Sequence, residues 1–191
     1  LLDVGRGNGP LREEILQTVA EVIDSGRFLH GPDVKKLEEE IAALSGAKQA
    51  IACASGSDAL LLALMALEVQ TGDEVIVPTP YWVSYTDMAI ANDGVPVTIP
   101  CSEAQDFKLK PEQLEAAISC KTRWLLLNAP SNPTGVSYSL EDYRALADVI
   151  VKHPQVMVMT DDIYEHIRFD NTPNPHWLTA APELRDRALA I

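Results

Sequence analysis

"LLLNAPSNPTG", residues 125–135, decides the reading of this chain. An apolar run ends at Asn128, and positions 128–135 then hold two asparagines, two prolines and a glycine. Each proline fixes its own φ, removes an N–H donor and biases the preceding residue toward an extended backbone. Asn132 is therefore held by Pro133 in a narrow conformational range, with its amide preset at little ordering cost. A stiffened turn directly after a buried strand is the feature to explain, and the segments on either side show where it sits.

Working outward, "TRWLLLN" (122–128) reads as a buried strand and "PEQLEAAI" (111–118) as the helix before it. "VPVTIP" (95–100) and "DEVIVP" (73–78) are strands, separated by the helix-like "YWVSYTDMAIAND" (81–93). Downstream, Ser139 caps the helix "SLEDYRALADVIVKH", "QVMVMT" (155–160) is a strand, and "RALAI" (187–191) begins another. Short strands rich in Val, Leu and Ile that alternate with helices predict an α/β fold: a mainly parallel sheet covered on both faces, in three layers. Upstream, "QAIACA" (49–54) reads as a short buried strand, and "SGSDALLLALMALE" (55–68) as a turn opening a helix buried on most sides. Two amphipathic helices come first. One spans Pro10–Ser25, with Leu11, Ile15, Val19 and Val22 or Ile23 as its stripe and Gly26 as its stop. The other runs from a cap at Asp33 to Leu44, with Gly46 as its stop. No repeat, low-complexity linker or clear boundary interrupts the chain.

Composition narrows the function. The chain has 191 residues, 47% of them hydrophobic and 23% charged, a globular profile. A net charge of −13 argues against a nucleic-acid binder and against docking on an anionic membrane. The longest apolar run, Ala59–Leu67, is too short to span a bilayer, and no signal peptide is visible. Cys53, Cys101 and Cys120 lack metal-like spacing and read as reduced thiols of a cytoplasmic protein, Cys53 as small-residue packing. His30, His153, His166 and His176 lack ligand spacing and read as surface or loop residues, and Glu38–Glu40 as a solvated helix face. "GRGNG" (5–9) does not have the spacing of a dinucleotide-binding loop, and no convincing strand precedes it.

In parallel sheets ligands bind outside the carboxyl ends of the strands. Four segments lie there. Gly56 and Ser57 open a helix, where free N–H groups and a hydroxyl can hold an anion; the ordinary alternative is a serine cap. Trp82 can offer a flat face to a planar ring, or simply pack inside. Asn132 can donate to an anionic oxygen, or be a plain Asn-Pro turn. Asp161, with Asp162 as its rival, can be a helix cap, a surface charge or the partner of a buried cation, and the Tyr164 hydroxyl can point back into the same pocket. Anion cradle, aromatic plate, amide donor and carboxylate together suit a phosphorylated, nitrogen-containing aromatic ring with a phenolate oxygen: pyridoxal 5'-phosphate (PLP).

"TPYWVSY", "NAPSNPTG" and "TDDIYEH" resemble the PLP-dependent aminotransferases of fold type I, class I, and residues from about 74 to 191 resemble bacterial aspartate aminotransferases. The resemblance implies that Trp82 stacks on the pyridine ring, and that Asn132 and Tyr164 reach its phenolic oxygen. It also implies that Asp161, first residue of the family's D-x-x-Y pattern, pairs with the ring nitrogen, and that Gly56 and Ser57 hold the phosphate. "DSGRFLHGPDVKKLEEEIAALSGAKQAI" and "ASGSDALLLALMAL", within residues 1 to about 73, resemble instead the aminotransferases of nucleotide-linked keto sugars, so the chain reads as a mosaic. The implied organisation is an N-terminal arm and helix over 1–30 and a PLP-binding large domain over 31–191, incomplete at its C-terminus and without the small C-terminal domain. None of the seven lysines lies in a segment matching the family's Schiff-base lysine, so no catalytic residue is assigned and a partial copy is expected. The implied activity is transamination between an amino acid and a 2-oxo acid, aspartate with 2-oxoglutarate, in a homodimer. A nucleotide-sugar aminotransferase and a catalytically inert fragment are the alternatives.

Overall fold

Amphipathic periodicity builds the first two helices. A 3-10 turn at Gly9–Leu11, with Pro10 inside it, leads into α1 (Arg12–Ser25), and Gly26 ends α1 in the left-handed region at φ 65°. Helix α2 spans Pro32–Ser45, starting one residue before the expected cap at Asp33. The computed structural model describes residues 8–45, 48–66, 69–169 and 172–191, so the expected stop at Gly46 lies outside the described residues. Two compact units make up the chain, Leu1–Cys53 and Ala54–Ile191.

The expected strand at 49–54 does not form. Ile51 is 84% exposed, Cys53 is exposed rather than packed, and the segment enters no ladder. A short apolar run becomes a strand only when another strand pairs with it, and composition cannot supply the partner.

In the second unit the alternation holds. Helix α3 (Gly56–Ala66) precedes β1 (Glu74–Thr79), and α4 (Ser84–Ala91) leads to β2 (Val95–Pro100). Helix α5 (Pro111–Ala117) leads to β3 (Thr122–Asn128), and α6 (Leu140–Ile150) to β4 (Met157–Asp161). A four-residue helix, α7 (Trp177–Ala180), absent from the sequence reading, precedes β5 (Ala188–Ala190). Every pairing is parallel, and the strand order is β2-β1-β3-β4-β5.

Period-two alternation divides each strand between two cores. Val75, Val77, Trp124, Leu126 and Met159 pack with Leu60 and Leu64 of α3 and Tyr85 and Ala89 of α4. Ile76, Leu125, Leu127 and Val158 pack on the opposite face with Leu114 of α5, Leu146 and Ile150 of α6, and Trp177 of α7. On that second face Tyr143 of α6 stacks on Tyr138 and meets Trp177 edge-on, with ring centroids 5.2 and 5.7 Å apart. Helix α6 starts as expected, with the Ser139 hydroxyl accepting from the Asp142 N–H in a capping box. Arg187 donates to the carbonyls of His153, Val156 and Ile150, satisfying acceptors at the end of α6 and in the turn before β4.

Helix α3 departs from the expectation of burial on most sides. Leu60 and Leu64, four residues apart, face the sheet, whereas Leu62 is 48% exposed and Met65 57%. One side of a helix meets a sheet, however apolar the other side is. Leu60→Ala is therefore expected to lower unfolding stability by about 2–5 kcal/mol, and Leu62→Ala by less than about 0.5 kcal/mol. Urea denaturation of both variants checks this; equal losses would contradict the one-sided burial.

Candidate functional site

Strands β3 and β4 end side by side, with Asn128 opposite Asp161 in the parallel register. The Asn128 side chain joins the two ends. Its Nδ2 donates to the Asp161 carbonyl at 2.8 Å, and its Oδ1 accepts from the Asn132 N–H at 2.7 Å. One amide thus ties the strand end of β4 to the turn after β3. The turn is closed by Ser131 N–H to Val136 O (2.9 Å) and Gly135 N–H to Ser131 O (2.7 Å), with Gly135 at φ 72°, a region that favours glycine. The Ala129–Pro130 and Asn132–Pro133 bonds are both cis. The sequence reading found the preset Asn132 but not Asn128, which it took only as the end of the strand.

Asp161 is the last residue of β4 and only 7% exposed. Alternation turns it to the same face as Met159, toward α4. There the Tyr85 hydroxyl donates to Asp161 Oδ2 at 2.7 Å, and the Ile163 N–H lies 3.3 Å from Oδ1. Burial raises the Tyr85 pKa far above the ordinary phenol value, and the Asp161 hydrogen bond adds to this, with further repulsion from Asp161, Tyr164 and Asp162. Tyr85 is therefore a permanent donor. Trp82, half-buried at the start of the same turn, meets Tyr85 edge-on at 5.5 Å and 87°. Tyr164 is half-buried in the turn after β4. Tyr85 escaped the sequence analysis although it stands in "YWVSY", because a tyrosine in a buried helix reads as packing.

Contacts thus run from Trp82 through Tyr85, Asp161 and Asn128 to Asn132. Gly56 and Ser57 do not enter this chain of contacts. Both are exposed in the first turn of α3, and a Cβ at Gly56 would meet nothing within 4 Å. Their placement follows from topology: α3 leads into the start of β1, so its own start lies toward the edge where the strands end. The cap of α3 is Ser55, whose hydroxyl accepts from the Asp58 N–H at 3.1 Å and donates to the Asp58 carboxylate at 3.0 Å. A cavity of about 20 Å3, room for one water, is lined by Pro80, Tyr81, Asn128, Asn132 and Tyr138 among others.

Asp162 takes a separate path. Its Oδ2 accepts from the Thr160 hydroxyl at 2.8 Å and pairs with His176 Nε2 at 2.9 Å. His176, expected as a surface or loop histidine, lies in the loop just before α7, where it is half-buried with a carboxylate partner. Among the described residues no group of three His, Cys, Asp or Glu side chains could hold a metal ion, and no helix is long and apolar enough to cross a membrane.

A profile of the family described as aminotransferase class I and II matches residues 2–189. An aspartate aminotransferase of Rhizobium meliloti (strain 1021) is 38% identical over 200 residues, which take in 100% of this chain and 49% of the relative. An aspartate/prephenate aminotransferase of Cereibacter sphaeroides (strain ATCC 17029 / ATH 2.4.9) is 36% identical over 197 residues, 98% of this chain and 49% of the relative. Among solved structures, that of the aspartate aminotransferase from Rhizobium meliloti superposes with a TM-score of 0.79 at 38% identity, over 92% of this chain and 46% of that one. The chain spans about half the length of these relatives.

Removing the Tyr85 hydroxyl leaves Asp161 Oδ2 without its donor at a site of low exposure. Tyr85→Phe is expected to cost about 1.5–3 kcal/mol, the range for hydrogen bonds to charged groups. Chemical denaturation near neutral pH measures it, and an unchanged midpoint would show that the bond contributes nothing to the fold.

Proposed function

The chain belongs to the class I and II aminotransferases, and from that membership we propose that the edge formed by Trp82, Asn132, Asp161 and Tyr164, with Gly56 and Ser57, holds pyridoxal 5'-phosphate for transamination between an amino acid and a 2-oxo acid. One observation carries the reading. Asp161 is a carboxylate of low exposure held by the neutral donors Tyr85 and Ile163 N–H, and among the described residues it has no ion-pair partner. A protonated ring nitrogen fits that position, because it brings the opposite charge to a carboxylate whose direction is already set.

When bound, the cofactor supplies an electron sink for the substrate carbon that loses its proton. The chain's own residues bind and orient it. Asp161 would keep the proton on the ring nitrogen, and Tyr85, unable to ionise at ordinary pH, would keep Asp161 aimed. Trp82 would cover one ring face. Asn132, its backbone N–H committed to Asn128, has its side-chain amide to offer the phenolic oxygen, and Tyr164 would reach the same oxygen. The N–H groups at Gly56 and Ser57 would meet the phosphate at the positive end of α3.

For substrates, the relatives' names favour aspartate as amino donor, with 2-oxoglutarate as acceptor from the resemblance of residues 74 to 191. A nucleotide-linked keto sugar is the second acceptor class, supported only by the resemblance of residues 1 to about 73 to the aminotransferases of such sugars. On this reading residues 1–30 form an arm, 31–191 belong to the cofactor-holding domain, and the enzyme is a cytoplasmic homodimer. The α-proton base is assigned to none of the lysines here.

Titrating the chain with PLP while following tryptophan fluorescence tests the site. A saturable change is expected, and Asp161→Asn should weaken binding at least about tenfold, the equivalent of one lost charge-assisted contact. Equal affinity in wild type and Asp161→Asn would remove Asp161 from the site. No saturable change at all would favour the inert-fragment reading.

A further inference from the structure

Thr160, Asp162 and His176 form a cluster that the cofactor reading leaves unused. It lies behind the site, on the other face of the sheet. Alternation sends Asp161 toward α4 and Thr160 toward α6 and α7, and Asp162 joins Thr160 on that second side. Asp162 Oδ2 lies 2.8 Å from the Thr160 hydroxyl and 2.9 Å from His176 Nε2. The other ring nitrogen of His176, Nδ1, accepts from the Leu178 N–H at 3.1 Å and caps α7. An imidazole that donates at Nε2 and accepts at Nδ1 is the neutral Nε2–H tautomer, here selected by partners on two different elements.

The peptide unit between Asp161 and Asp162 is held from both sides. Its carbonyl accepts from Asn128 Nδ2 at 2.8 Å, and its N–H donates to the Ile191 carbonyl at 2.8 Å. The residue that carries the cofactor-facing carboxylate and the residue tied to His176 therefore share one rigid plane.

We propose that His176 is a positioning residue for the cofactor site: through Asp162 and Thr160 it fixes the end of β4, and with it the direction in which Asp161 presents its carboxylate. The proposal rests on the PLP reading above.

Charges around the cluster set how it responds to pH. Asp162 and Glu165 face His176, Tyr143 of α6 and Tyr85 of α4 feel the Asp162 charge, and Arg144 with Glu183 closes the far end of α7 at the Ala180 carbonyl. The Asp162 hydrogen bond raises the His176 pKa above its ordinary value, against the opposing effect of burial. A folded-state pKa above the unfolded one stabilises the fold fully below the unfolded value, and the contribution is lost as pH rises through the folded value. Protonation strengthens the tie to Asp162 but puts a hydrogen on Nδ1, which can then no longer accept from Leu178. The cluster thus has two arrangements, one on each side of the His176 titration.

The test is the PLP titration of the chain, at pH values below and above the titration of His176, in wild type, Asp161→Asn, His176→Ala and His176→Gln. His176→Ala should raise the PLP dissociation constant about three- to tenfold, the effect of one hydrogen bond felt through a neighbour. His176→Gln keeps a donor for Asp162 and cannot titrate, so it should recover most of that affinity and lose the wild-type pH step. Nitrogen-15 NMR of the His176 ring, in the chain without added PLP, should show the Nε2–H tautomer on the basic side. The proposal is overturned if His176→Ala binds as tightly as wild type while Asp161→Asn does not. A His176→Gln as weak as His176→Ala also overturns it, since packing alone would explain that, and so does a pH step that persists in His176→Gln. A wild type without saturable binding overturns the cofactor reading and this proposal together, whereas the other outcomes leave the cofactor reading standing.

Discussion

A carboxylate at the end of a buried strand must be held by donors, and the candidate site depends on how Asp161 meets that condition. Its charge is kept at low exposure by the Tyr85 hydroxyl and aimed by the peptide unit that follows it. Tyr85 can do this only because it is itself buried: desolvation suppresses its ionisation, so the donor never becomes a second anion. The core under α4 and the chemistry at the strand edge are thus one arrangement.

The same strand end separates two adjacent aspartates by the period of the pleat. Asp161 looks toward α4 and the open edge, while Asp162 looks toward α6 and α7 and is tied to Thr160 and His176. Side chains one residue apart point to opposite faces, so one carboxylate can meet a ligand while its neighbour anchors the backbone. Asn128 completes the frame from β3 by joining Asp161 to the turn that carries Asn132. This division of labour explains how a loop-borne amide and a strand-borne carboxylate are held to one geometry, as a site with little tolerance for displacement requires.

Membership of the class I and II aminotransferases accounts for the parallel sheet and its loaded edge, but the fold does not choose a substrate. The two bacterial relatives carry different names, aspartate aminotransferase and aspartate/prephenate aminotransferase, although each is similar to nearly the whole of this chain.

Much was written in the sequence itself. Alternating strands and helices after residue 73 determined the doubly covered parallel sheet, because period-two burial on two faces leaves no other arrangement for short Val- and Leu-rich strands. The turn at 128–135 pointed to Asn132 and the end of β4 to Asp161 or Asp162, because prolines and strand ends act locally and can be read locally; the resemblance to the family's D-x-x-Y pattern is what favoured Asp161. Tertiary structure decided the rest. Residues 49–54 failed as a strand because pairing needs a partner that no local pattern encodes, and α3 left Leu62 and Met65 exposed because a helix can lay only one side on a sheet. Tyr85 is 76 residues from Asp161 in the chain, and Asn128 is 33 from it. Bonds across such distances exist only once the strands have been laid side by side, so the residues that hold the site had to wait for the fold.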